Sequence, residues 1–86
     1  MIEGKTESGF EYKVNEDVLD DMEIIDLLSS IDEGEVQNLT KAADKILGVE
    51  QRKKLYDHIR TEDGRVPVAK FSEEFFDILG NDKLKN

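Results

Sequence analysis

The spacing of apolar residues predicts four amphipathic helices, over residues 16–31, 35–47, 50–62 and 67–79. Within each segment the apolar positions recur every three or four residues, which places them on one helix face. The side chains predicted to face inward are Val18, Met22, Ile25, Leu28 and Ile31, then Val36, Leu39, Ala43, Ile46 and Leu47, then Leu55, Tyr56 and Ile59, and finally Val68, Phe71, Phe75, Ile78 and Leu79. The pattern indicates an all-α fold, a small bundle of about four helices with a short extended N-terminal segment.

That extended segment spans residues 9–14, where apolar and polar residues alternate. If it is a strand, Phe10, Tyr12 and Val14 share one face. A lone strand needs either a partner chain or a place as an arm across the helices, and the arm is slightly favoured. Residues 1–8 are expected to be a loose N-terminus and 81–86 a frayed tail, and the whole chain, 1–86, is expected to form one domain.

Glycine and proline mark where the helices begin and end. Asn15 is a good N-cap for the first helix, and Gly48 is expected to end the second. Gly64 can adopt the backbone conformations that end helices, and Pro67 suits the first turn of the fourth helix. Residues 48–68 are therefore predicted to form a hinge that sets the angle between the last two helices.

The charge is concentrated in the first part of the chain. The 86 residues carry a net charge of −9, but the segment up to Glu35 has twelve acidic residues and two lysines, so its own charge is −10. Such a field repels phosphate backbones, and the acidic, aromatic fourth helix is unsuited to reading DNA. Nucleic acid is therefore not expected as a partner. The acidic residues either solvate a helix face or recognise the basic surface of a partner or of a second copy.

The chain offers few residues for chemistry. It has no cysteine and one histidine, His58, so it has no disulfide, no thiolate zinc site and no pair of histidines for a metal. A nucleophilic serine needs a base within hydrogen-bond reach, and the sequence places none beside a serine. In the acidic stretch 32–36 the glycine comes too early for a calcium loop. No catalytic, cofactor-binding or metal-binding residue is predicted, and no apolar run approaches the length of a membrane span.

Adjacent apolar residues provide the internal indication of a protein contact. Phe75 and Phe76 cannot both be buried by one helix face, and the same holds for Ile24 and Ile25. Surplus apolar side chains in a small domain suggest a surface for self-association, although a wide apolar stripe or the arm could also cover them. The predicted protein-interaction residues are Phe10, Tyr12, Ile24, Phe75 and Phe76.

Several short segments together indicate a family. They are Phe10-Glu11-Tyr12, Asp20-Asp21-Met22-Glu23, Leu47-Gly48-x-Glu50-Gln51, Leu55-Tyr56-Asp57-His58-Ile59-Arg60, and Gly64-Arg65-Val66-Pro67 before a helix that contains Phe75. From Phe10 to its end, the chain resembles the small tail assembly chaperones of siphophages that infect Gram-positive bacteria.

The resemblance implies an all-helical, non-catalytic protein that acts in the cytoplasm of the bacterial host. It implies a homo-oligomer that coats the tape-measure protein of a phage or prophage. The chaperone keeps this partner soluble until subunits of the tail tube protein displace it. A longer frameshifted form often carries a C-terminal extension in such systems, and this chain would be the short form. No catalytic or cofactor residue is carried over.

A second class of function remains open from the sequence. A small acidic regulatory or antitoxin-like module could mask a basic site on a partner protein. It would be a monomer whose affinity falls steeply with salt. The chaperone interpretation instead predicts oligomers and a long helical partner.

Overall fold

The computed structural model describes residues 1–81 and Leu84, and within them it shows a two-stranded antiparallel hairpin followed by four α-helices. The elements are β1 Ile2–Lys5, β2 Glu11–Val14, α1 Met22–Asp32, α2 Leu39–Leu47, α3 Val49–Ile59 and α4 Val68–Leu79. A 3₁₀ turn, Val36–Asn38, leads directly into α2. The mostly helical architecture is confirmed, but the all-α prediction missed the sheet. None of the helices in the described part of the chain combines the length and the apolar character that crossing a bilayer requires.

The N-terminal residues form half of the hairpin, so the prediction that 1–8 is loose is wrong. β1 pairs with β2 in antiparallel register, with Ile2 opposite Val14 and Gly4 opposite Tyr12. The extended segment therefore finds its partner in its own chain, and it is neither a lone arm nor a strand that waits for another protein. Gly4 is required here because a Cβ at this position would collide with the Tyr12 ring.

The two faces of the hairpin differ in polarity. The inward face consists of buried residues, which are Ile2, Thr6, Phe10, Tyr12 and Val14. The outward face consists of exposed charged residues, which are Glu3, Lys5, Glu11 and Lys13. Because successive strand residues alternate between faces, this pattern fixes which side of the sheet packs on the helices.

α1 begins six residues later than the predicted start of the first helix at residue 16. Asp21 is its N-cap, with extended backbone and a side chain that accepts a hydrogen bond from the Glu23 N–H at 2.9 Å. The side chain of Asn15 accepts from the Asp17 N–H within a turn instead. Two good capping residues compete in this stretch, and the second one starts the helix.

The buried face of α1 also differs from the predicted one. Ile24 is buried, and Leu27, Leu28 and Ile31 pack against the core. The predictions that Met22 and Ile25 face inward are wrong, because the two side chains are 69% and 42% exposed. The predicted inward positions of Val36 and Val68 are also wrong, since one lies in the 3₁₀ turn and the other at the first residue of α4, and both are exposed.

Gly48 separates α2 from α3 as predicted. Its φ of 82° and ψ of 158° end α2, and its carbonyl accepts the first hydrogen bond of α3, from the Arg52 N–H at 3.0 Å. α3 ends at Ile59, three residues before the predicted end, and a turn over 61–65 with a positive φ at Gly64 follows. Hydrogen bonds from the Thr61 hydroxyl and then the Arg65 guanidinium hold the pKa of Asp63 below its usual value.

α4 supplies much of the core. Phe71, Phe75 and Ile78 are buried as predicted, and the Tyr56 ring of α3 meets Phe71 edge-on with centroids 5.3 Å apart. In the predicted frayed tail, residues 82, 83, 85 and 86 lie outside the described residues. Leu84 contradicts that prediction, because its side chain is buried and its N–H donates to the Asn81 carbonyl at 2.9 Å.

Candidate functional site

The structure separates the five predicted contact residues into four core residues and one surface residue. Phe10, Tyr12, Ile24 and Phe75 are buried, so they cannot form a contact surface in this fold. Phe76 remains 45% exposed, with its ring edge-on to Phe75 at a centroid distance of 5.5 Å. The expectation that adjacent phenylalanines cannot share one buried face is confirmed. A role in protein contact remains a prediction for Phe76 alone.

A second exposed apolar surface lies on α1, the helix that carries the predicted contact residue Ile24, but it consists of other residues. The outer face of α1 consists of exposed residues along the whole helix, which are Met22, Ile25, Asp26, Ser29 and Asp32. Met22 and Ile25 are neighbours on the helix surface because they are three residues apart. The pairing of Ile24 with Ile25 correctly indicated that one isoleucine would be exposed, but it is Ile25 rather than Ile24.

Acidic side chains surround this face. Asp20, Asp21 and Glu23 are exposed at the start of α1, and Glu23 reaches Lys45 of α2 with an N–O distance of 3.6 Å. A groove between α1 and α2 is lined by Leu27 and by polar and charged side chains of both helices. The outer face of α1 therefore combines apolar contact area with a negative field.

A polar cluster ties the hairpin turn to α3 and α4. The hydroxyls of Thr6 and Ser8 both donate to Oε1 of Glu74, at 2.8 and 2.7 Å. Ser8 Oγ also lies 2.9 Å from His58 Nε2, and the Phe10 ring lies 5.5 Å from the His58 ring. The prediction that no base lies beside a serine is wrong for Ser8. No sequence signal could have found this pair, because the residues are fifty positions apart.

The donor and acceptor roles in this cluster differ from those around a nucleophilic serine. A serine hydroxyl has one proton, and here Ser8 donates it to Glu74, so Nε2 of His58 is the donor to Ser8. A catalytic serine instead gives its proton to a histidine whose other nitrogen is held by a carboxylate. In the part of the chain that the structure describes, no carboxylate bonds to His58. The cluster acts as a tether that fixes the hairpin against the helices.

We expect Glu74→Ala to lower the free energy of unfolding by about 1–3 kcal/mol, because two hydroxyl donors lose a buried charged acceptor. Glu74→Gln keeps an acceptor oxygen and should lose less. The control is Glu73→Ala, since Glu73 is the exposed neighbour on the same helix and its loss should change stability by no more than about 0.5 kcal/mol. Urea unfolding followed by circular dichroism measures all three. Equal losses at 73 and 74 would contradict the tether.

An ion pair also stabilises the junction of α2 and α3. Arg52 bonds to Asp44, and its guanidinium carbon lies 5.1 Å from the centre of the Tyr56 ring. The hydrogen bond with Asp44 raises the pKa of Arg52. The Arg52 side chain is only 15% exposed because it covers this junction.

The described surface therefore exposes Phe76, the apolar pair Met22 and Ile25 on α1, and the acidic side chains of the N-terminal half. Within the described residues, no three histidine, aspartate or glutamate side chains are arranged to hold a metal ion. No protein-family model, curated protein or solved structure matches this chain.

Proposed function

We propose that this protein is a non-catalytic tail assembly chaperone, which self-associates and binds the tape-measure protein during phage tail assembly in the bacterial cytoplasm. The resemblance described above supplies the family. The single structural observation that supports a binding role is the pair of exposed apolar side chains, Met22 and Ile25, on a helix surrounded by carboxylates.

The outer face of α1 suits a helical partner segment. Apolar residues at helical spacing on the partner would cover Met22 and Ile25, while its lysines or arginines would pair with Asp26 and Asp32. Exposed ion pairs contribute little each and are screened by salt. A coat held in this way is reversible, which a chaperone that tail tube subunits later displace requires.

Phe76 is the residue proposed for contact between copies. We expect the wild type to form oligomers and Phe76→Asp to shift the distribution toward smaller species, because a carboxylate at the centre of an apolar contact must be desolvated. Static light scattering over a concentration series measures this shift. The control is Val68→Asp, which places the same charge at another exposed apolar position of α4. A wild type that remains monomeric at high concentration would contradict the proposed self-association.

The acidic N-terminal half supports a second candidate, a monomeric module that masks a basic site. The observation that favours this candidate is the run of exposed carboxylates from Glu16 to Glu35. This candidate predicts binding that weakens steeply as salt rises and that is indifferent to the loss of Met22 and Ile25. The chaperone predicts the opposite dependence on those two side chains, and co-expression with a tape-measure protein separates the two.

A further inference from the structure

The strand β1 presents a main-chain edge that the described part of the chain leaves open. In an antiparallel pair, alternate residues direct their N–H and C=O groups toward the partner strand or away from it. Thr6 donates to the Phe10 carbonyl at 2.9 Å, which continues the ladder beyond the strands. By this alternation, Glu3 and Lys5 direct their main-chain groups away from β2. No described group bonds to them there.

The opposite edge of the hairpin is blocked at Lys13 by the chain itself. The side-chain amide of Gln51 in α3 accepts from the Lys13 N–H and donates to the Lys13 carbonyl, both at 2.7 Å. The amide thereby occupies both outward main-chain groups of Lys13, as a neighbouring strand would. Along the described hairpin, β1 therefore keeps the outward main-chain groups of both Glu3 and Lys5 open, whereas β2 keeps open only those of Glu11.

The charged side chains beside the open edge form a self-complementary pattern. Glu3 and Lys5 are both exposed on the outward face of β1. Across the hairpin, Glu3 pairs with Lys13 at an N–O distance of 3.4 Å, and Lys5 lies opposite Glu11. A strand that reads acidic then basic matches a second copy of itself when the two run in opposite directions.

We propose that two copies of this chain associate by pairing β1 with β1, antiparallel about a two-fold axis at Gly4. In this register, Glu3 of each copy lies opposite Lys5 of the other, and these are the residues whose main-chain groups point outward. Both pairs can therefore exchange N–H to carbonyl hydrogen bonds. The result is a symmetric interface and a continuous four-stranded sheet.

The charges also reject the neighbouring registers. A slip by two residues in either direction places Glu3 opposite Glu3 or Lys5 opposite Lys5, and like charges directly opposite each other are unfavourable. In the proposed register each row across the outward face alternates in sign, with Lys13 and Glu3 of one copy followed by Lys5 and Glu11 of the other. Charges that serve only to prevent aggregation at an edge strand do not require this complementary pattern between two copies.

The pairing is tested by exchanging the charges. Glu3→Lys gives a chain with two basic positions on β1, and Lys5→Glu gives a chain with two acidic positions. Each variant alone should associate about tenfold or more weakly than the wild type, because both cross-copy pairs become repulsive. An equal mixture of the two should recover association, as should the double variant Glu3→Lys/Lys5→Glu. Sedimentation equilibrium measures the association, and thermal unfolding checks that each variant folds.

The mixture is the decisive experiment, because it contains the same folded monomers that are measured separately in the two single-variant samples. Amide chemical shifts in a dilution series add a local readout, in which Glu3 and Lys5 should shift with concentration and Glu11 should not. Failure of the mixture to recover association, or a wild type without concentration-dependent shifts at Glu3 and Lys5, would overturn the proposal. The β1 edge is a different surface from Phe76, so Phe76→Asp should leave the β1 pairing intact, and loss of one contact is distinguishable from loss of the other.

Discussion

Phe75→Ala is expected to lower the free energy of unfolding by about 3–5 kcal/mol. Phe75 is fully buried, stacks on Phe71 at a centroid distance of 6.0 Å and meets the Phe76 ring edge-on. Truncation removes a large apolar side chain and leaves a cavity that a rigid helix packing cannot fill. For a chain of this size the total free energy of unfolding is about 4–13 kcal/mol, so this one substitution should remove a large part of it.

Phe76→Ala is the matched control, because it deletes the same side chain one position along the same helix. Phe76 is nearly half exposed, so its loss should cost no more than about 1 kcal/mol. Urea unfolding of both variants, followed by circular dichroism, gives the comparison. Similar losses from the two variants would mean that α4 does not present the described face to the core.

Gly48→Ala is expected to destabilise the protein by about 1–3 kcal/mol through backbone strain alone. The glycine has a φ of 82° and a ψ of 158°, a region that residues with a side chain avoid. Beyond the neighbouring residues of the chain, an added Cβ would meet nothing within 4 Å, so the effect comes from the local backbone conformation and not from a clash with the rest of the fold. Asparagine should do no better than alanine here, because a ψ of 158° lies outside the left-handed helical region that asparagine tolerates.

Gly80→Ala is the control for this prediction. Gly80 follows α4 with a φ of −79° and a ψ of −1°, values that alanine adopts readily. We expect a change of no more than about 0.5 kcal/mol, since ordinary backbone is retained. Differential scanning calorimetry of both variants measures the difference. A Gly48→Ala protein as stable as Gly80→Ala would contradict the described conformation at the junction of α2 and α3.

The sequence predicted the elements whose signals are local and consistent. The apolar periodicity of α2 and α4 agrees with Gly48 and Pro67 at their ends, and so their buried faces were largely correct. The start of α1 was missed because Asn15 and Asp21 are both competent caps. Choosing between them depends on how Val18 and the turn around it reach the core, which is a tertiary effect.

The hairpin and the polar cluster were not predictable from the sequence pattern. β1 has four residues and includes Gly4, so its alternation is too short and too interrupted to predict a strand. Ser8, His58 and Glu74 come from three distant segments, and only the packed fold brings them together. Of the predicted contact residues only Phe76 is on the surface. Two adjacent apolar residues on a helix indicate that one of them is exposed, but they do not indicate which one, and they give no information about the burial of Phe10 and Tyr12.

Co-expression with a tape-measure protein tests the proposed function most directly. The partner is the tape-measure protein, which the chaperone interpretation expects to be long and helical. Its soluble fraction is measured without this protein, with the wild type and with Met22→Asp/Ile25→Asp. The control is Val49→Asp/Val68→Asp, which adds the same charge at two other exposed apolar positions.

The account predicts that the wild type and the control keep the tape-measure protein soluble, and that Met22→Asp/Ile25→Asp does not. A tape-measure protein that remains equally insoluble with and without the wild type would contradict the proposed chaperone function.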